Sequence, residues 1–166
     1  MKRAFLMLVA LLVTSAAYAQ DNQEVRWRRI DGVITALNVD NPVGKISAGT
    51  FPWTARGGSA RVNLSTGAAA FDVDGLVIDG TVFSGTPGPV TAVTGTLVCN
   101  VGTSNESTHD TNPVPLSARG NADFSGHIAG IPYSCENPLF LIRIAQPAGA
   151  AGRWIATGAE RTGGSQ

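Results

Sequence analysis

Val90-Thr-Ala-Val-Thr-Gly-Thr-Leu-Val-Cys99 is an uncharged run rich in Val and Thr, the composition of a strand in the middle of a sheet. Side chains alternate between faces with period 2, so Val93, Gly95, Leu97 and Cys99 share one face and Ala92, Thr94, Thr96 and Val98 the other. A strand that aligns its cysteine with Val93 and Leu97 presents that cysteine to the core. The expected partner is Cys135, the one other cysteine of the chain. Closing a loop of that length stabilises by about 3–4 kcal/mol in the chain-entropy model.

The compartment follows from the other end of the sequence. Met1-Lys2-Arg3 is a positive start, Ala4 to Val13 is an almost unbroken apolar run, and Ala17-Tyr18-Ala19 is a small-x-small cleavage signal. That is the layout of a secretory signal peptide over residues 1–19, with an apolar part too short to span a membrane. The mature chain is expected to start at Gln20, to be secreted or periplasmic, and to carry no membrane span. Two cysteines in an exported chain most often pair, which leaves little room for a free catalytic thiol. The full chain has 12 basic and 12 acidic residues, and loss of Lys2 and Arg3 with the leader makes it weakly acidic. A chain so charged has no long-range field to draw nucleic acid or an anionic membrane, so no nucleic-acid partner is expected.

Outward from the central strand, short alternating runs follow one another between Gly, Pro and Asn turns. Val25 to Val39 reads as one long strand or two joined at Asp31-Gly32, with its arginines mixed across both faces. Lys45 to Thr50 is a short strand candidate before Phe51-Pro52-Trp53. Ala60 to Ser65 and Ala68 to Asp74 form a hairpin about Ser65-Thr66-Gly67, with Val62, Leu64, Phe71 and Val73 inward. Leu76 to Phe83 is a further strand, bent at Asp79-Gly80. Gly102 to Pro115 is almost wholly polar and reads as an exposed excursion. Asn121 to Ile128 alternates again, Leu139 to Ala145 is apolar on both faces, and Arg153 to Thr157 is the last strand. Helical periodicity is nearly absent. The expected fold is all-β: a single antiparallel β-sandwich, or partly closed barrel, over residues 20–158 with one disulfide. Residues 159–166 are expected to form a disordered tail.

From about Gly49 to Gly158 the order of features resembles a group of small secreted bacterial proteins of unknown function, the two-cysteine β domains. The matching pieces are Pro52-Trp53, the Gly85-Thr-Pro loop before Leu97-Val98-Cys99, Gly120-Asn-Ala-Asp123, Cys135, and Trp154 before Thr157-Gly158. The resemblance implies secretion and a compact domain, and brings no activity with it.

Candidate chemistry is sparse. Asn121, Asp123, Ser125 and His127 fall on one strand face and form a polar strip able to bind a polar ligand. Neighbours two apart on a strand lie about 7 Å from each other, too far for a nucleophile–base hydrogen bond. No Gly-x-Ser-x-Gly turn is present to expose a serine. Glu106, His109 and Asp110 are close in sequence, as are Asp72, Asp74 and Asp79, but neither set has the spacing of a calcium loop or a zinc site. No metal and no cofactor is expected. Trp53, in a turn region, is the tryptophan best placed for stacking on a sugar or anchoring a protein partner. Arg26-Trp27-Arg28-Arg29 reads as a solvated strand more readily than as a basic patch.

The leading expectation is a non-enzymatic binding module. Its binding residues would be Trp53, Asn121, Asp123, Ser125 and His127, and its partner a ligand or envelope protein, with carbohydrate one candidate. The rivals are a small secreted hydrolase built on Asp123, His127 and His109, and a subunit of a cell-envelope assembly.

Overall fold

The computed structural model describes residues 23–36 and 39–163, so the leader and its cleavage site lie outside the described residues. Eleven strands follow in order: β1 (Glu24–Gly32), β2 (Trp53–Thr54), β3 (Gly57–Asn63), β4 (Ala68–Asp74), β5 (Val77–Ile78), β6 (Ala92–Cys99), β7 (Ser107–Asp110), β8 (Val114–Pro115), β9 (Ala122–His127), β10 (Leu139–Ala145) and β11 (Ala151–Gly163). A single turn of 3₁₀-helix, Pro147–Gly149, joins the last two. Nine strands make one sheet in the order β7-β6-β10-β11-β1-β3-β4-β9, with β8 beside β7 on the same edge of β6. Every pairing between these strands is antiparallel.

The sheet curls on itself, and its aromatic residues measure the curl. β10 and β4 are four places apart, so a flat sheet would hold them roughly 19 Å apart at 4.8 Å per strand. Yet the rings of Phe140 and Phe71 lie 5.7 Å apart. Gly95, in the middle of β6, is the reason they fit. A Cβ there would come 2.7 Å from the Phe140 ring and 2.8 Å from the Phe71 ring. Trp27 stands 5.5 Å from Phe140 on the other side, and Phe124 of β9 stacks on Phe71. These rings, with Val25, Ile30, Val62, Val73, Val93, Leu97, Ile142 and Ile155, fill the interior of a partly closed barrel. β6 is buried on both faces from Val93 to Cys99, whereas β10, expected to be apolar on both faces, is fully buried only from Phe140 to Ile142.

One end of the barrel is capped by the β2–β5 ribbon, which pairs Trp53 with Ile78. The Trp53 N–H also donates to the Val33 carbonyl. The cap explains why β1 stops at Gly32 and does not reach Val39. The ribbon crosses there so closely that a Cβ at 32 would overlap the Trp53 carbonyl. It also limits the strand expected from Leu76 to Phe83 to two residues, since Thr81 onward turns back over the cap. The span from Lys45 to Thr50 holds isolated bridges only, Val43 with Ile46 and Ala48 with Trp154.

Cys99 and Cys135 are bonded, with their Cα atoms 4.7 Å apart. The bridge ties the link between β9 and β10 to the end of β6. Asn100 clamps the same place: its backbone N–H donates to the Glu136 carbonyl, its Oδ1 accepts the Glu136 N–H, and its Nδ2 donates to the Ser134 carbonyl. A left-handed φ of 56° at Asn100, tolerated best by Asn after Gly, makes this clamp.

Two further expectations are corrected. The excursion from Gly102 to Pro115 is not all loop, because β7 and β8 pair with β6 and satisfy its outer edge. An edge strand needs backbone partners more than apolar side chains, which is why polar composition hid it. Residues 159–163 are not tail but the end of β11, paired residue for residue with the start of β1 from Val25↔Gly163 to Arg29↔Ala159, apart from one skipped pair. Residues 164–166 lie outside the described residues.

Candidate functional site

The outer face of β1, β3, β4 and β9 carries the densest set of functional groups. Its arrangement begins with a phase shift in β1. Val25 and Trp27 point inward as alternation requires, but the next inward residue is Ile30, three places on. Beside this step Glu160 adopts φ 54°, and the ladder between β1 and β11 skips the Arg28–Glu160 pair. The local shift leaves Arg26, Arg28 and Arg29 all exposed, which corrects the expectation that the arginines are mixed across faces.

Cross-strand register then builds two rows. Thr162, Arg26, Arg61, Ala70 and Ser125 face one another in turn across β11, β1, β3, β4 and β9. In the next row Ser59, Asp72 and Asp123 oppose one another across β3, β4 and β9, with Arg28 at the β1 end. An open groove of about 550 Å³ runs between the rows, lined by Arg26, Arg28, Arg61, Ser59, Asp72 and Thr162. Ala70, small and on the outer face, keeps its floor low, and the inward-facing Trp27, Ala60 and Phe71 lie beneath. Arg26 and Arg61 are directly opposite, an arrangement that costs stability through like-charge repulsion. Arg26 is partly neutralised by Glu24. Arg29 is engaged elsewhere: its hydrogen bond to Asp31, then the charges of Asp31 and Glu160, raise its pKa. Arg28 and Arg61 make no side-chain hydrogen bond or ion pair among the described residues.

The residues expected to bind are divided by the structure. Asp123, Ser125 and His127 do share an exposed face of β9, at the far margin of this surface. Asn121 precedes the strand, and its side-chain oxygen accepts the Gly75 N–H at 2.9 Å, so it holds a turn. Trp53 is 2% exposed inside the end cap and is unavailable to a ligand, a correction to its expected role. Trp27 and Trp154 are buried too, whereas Tyr133 and Phe83 are the exposed aromatic residues. The three-arginine face was missed because straight alternation separates Arg28 from Arg29. The signal available was the Arg26–Arg28 spacing of two.

The acid and histidine side chains expected as a catalytic set are not joined to one another among the described residues. Asp123 and His127 make no side-chain hydrogen bond to each other among the described residues. His109 of β7 meets Ser107 instead, Nε2 to Oγ at 2.9 Å, with no third group orienting its Nδ1 among the described residues. The described residues contain no cluster of three or more metal-ligating side chains. Asp110 is used by Thr96 and Arg143, whose guanidinium burial pushes down in pKa and the Asp110 charge raises.

Glu106, the other acid of that segment, is a clasp. Its carboxylate accepts the Gly102 N–H at 2.9 Å and the Lys45 N–H at 3.0 Å, and these two bonds hold its pKa below the ordinary 4.5. Because the folded value is the lower one, the contribution is complete above the ordinary carboxylate range and is lost as pH falls through the depressed value. Hydrogen-exchange protection at Lys45 and Gly102, corrected for intrinsic rate, is therefore expected to fall selectively on acidification. Glu106→Gln should weaken the same protection at neutral pH. Unchanged protection at both amides would remove the clasp.

No protein-family model, curated protein or solved structure matches the chain. The face must therefore be read on its own chemistry. No helix among the described residues is long and apolar enough to cross a membrane.

Proposed function

We propose that this chain is an exported, non-catalytic binding module whose ligand carries negative groups and lies in the groove across β1, β3 and β4. The observation that carries the reading is the pair Arg28 and Arg61, two exposed guanidiniums without a side-chain partner among the described residues, flanking a groove whose floor the small Ala70 keeps low. Guanidinium forks match carboxylate, sulfate and phosphate in a bidentate geometry. An anion between Arg26 and Arg61 would also relieve their mutual repulsion. Ser59 and Thr162 supply neutral hydrogen-bonding groups at its margins. An acidic saccharide fits these features best, since it combines anionic groups with hydroxyls that Thr162 and the hydrogen-bonded Ser59–Asp72 pair can meet. The signal-peptide layout and the disulfide support export, in keeping with the resemblance to small secreted bacterial proteins.

The test is titration calorimetry against uronate-, sulfate- and phosphate-bearing oligosaccharides, with neutral oligosaccharides as controls. Arg28→Ala with Arg61→Ala is expected to weaken binding at least tenfold, and added salt to weaken it further. Both arginines are exposed and Arg61 opposes Arg26, so the variant should keep or slightly raise its thermal midpoint. A flat response across the acidic set, or full binding by the double variant, would refute the reading.

A further inference from the structure

We propose that β9 is a docking edge for a second copy of this chain, pairing antiparallel with its own counterpart about a two-fold axis at Ser125. The hydrogen-bond phase of the strand establishes which groups are open. Ile128 donates its N–H to Gly67, in register with β4, so Gly126, Phe124 and Ala122 also face β4. The intervening Asp123, Ser125 and His127 then turn their N–H and C=O groups away from the sheet. Asn121 confirms the phase, since its carbonyl accepts the Ser117 N–H on that outer side. Beyond it, among the described residues, β9 pairs as a strand with β4 alone, and β8 comes near it without pairing. The C-terminal half is also open at its faces: Gly126 and His127 are exposed and Phe124 is only half-buried.

Sheet edges are commonly blunted by proline, bulges, lysine or shortness. The opposite edge of this sheet is blunted in this way, with short β7 and β8 strands and with Pro113 and Pro115 lacking N–H groups. β9 has none of these devices. It holds a constant register against β4 over six residues and contains neither Pro nor Lys.

The sequence of β9 favours itself as the occupant. With Ser125 opposite Ser125, Asp123 of one copy faces His127 of the other, twice by symmetry. Phe124 faces Gly126 in the same register. Within one copy the Phe124 ring already lies on Gly126, where a Cβ would approach it to 2.7 Å. Asp123 has a further reason to seek a cation, because its cross-strand neighbour on β4 is Asp72, another carboxylate. Two-fold registers centred on Phe124 or Gly126 lose both acid–imidazole pairs. About six main-chain hydrogen bonds would form, which suits a reversible dimer more than an obligate one.

Sedimentation equilibrium of the mature chain over a concentration series tests this, with hydrogen exchange read at the same concentrations. A concentration-dependent dimer is expected, with protection appearing at the Asp123, Ser125 and His127 amides and not at Phe83 or Tyr133. Ser125→Pro removes an outward N–H without touching the β4 ladder, so it should stay folded and become monomeric. Asp123→Lys should raise the dissociation constant about tenfold or more, and adding His127→Asp should restore it by exchanging the charges. A wild-type monomer throughout, a Ser125→Pro dimer, or a charge exchange without recovery would each overturn the proposal. None of these readouts involves Arg28 or Arg61, so the ligand groove and the docking edge stand or fall separately.

Discussion

Phe140→Ala is expected to destabilise the protein by about 3–5 kcal/mol, a large part of the roughly 5–15 kcal/mol available to a domain of this kind. The ring is fully buried, touches Trp27 and Phe71, and covers Gly95. Its removal opens a hole that its neighbours fill badly, because the residue beneath it has no side chain and the flanking rings are held on separate strands, β1 and β4. Urea unfolding measures the loss. Gly95→Ala alone is expected to destabilise as well, since the new methyl would press on both phenyl rings. In the Phe140→Ala background half of that clash is gone, so the two effects should sum to less than their separate costs. Strict additivity would show that Gly95 and Phe140 are not a packed pair.

Replacing both cysteines with alanine is expected to cost about 4 kcal/mol in the loop-entropy model, for a sequence separation of 36 residues. Both sulfurs are buried in apolar surroundings, so alanine leaves no unsatisfied polar group and the loss should come mainly from the unfolded chain. Asn100 keeps its hydrogen bonds to Ser134 and Glu136 in that variant, which should hold the link in place near the native geometry. The expected result is a native-like circular dichroism spectrum with a lower urea midpoint. Adding Asn100→Ala should then release the link. An unchanged midpoint on reduction of the wild type would contradict the entropic account.

Where burial and alternation coincide, the sequence was readable at residue level. Ala68 to Asp74 is β4 to the residue, with Phe71 and Val73 inward, and the uncharged run ending at Cys99 is a strand with Val93, Leu97 and Cys99 in the core. The disulfide was legible from the cysteine count and the expected compartment alone. What escaped depends on partners distant in sequence. β7 and the end of β11 are polar strands that exist because β6 and β1 offer them open edges, and no local pattern announces that. Trp53 looks like a surface anchor beside Pro52 until the β2–β5 ribbon folds it into the end cap. Arg26 and Arg28 share a face by plain alternation, but the exposure of Arg29 depended on a change of phase beside Glu160, more than 130 positions away.

β1 and β11 run side by side in the middle of the sheet, and Val25 lies opposite Gly163. Both ends of the folded body therefore leave from a single point on its surface. Tension applied through those ends would pull across the ladder and open it one rung at a time, as a zipper opens, without meeting the resistance of strands loaded in shear. Such a body gives way early when hung between two anchors, and serves far better as a pendant held from one side.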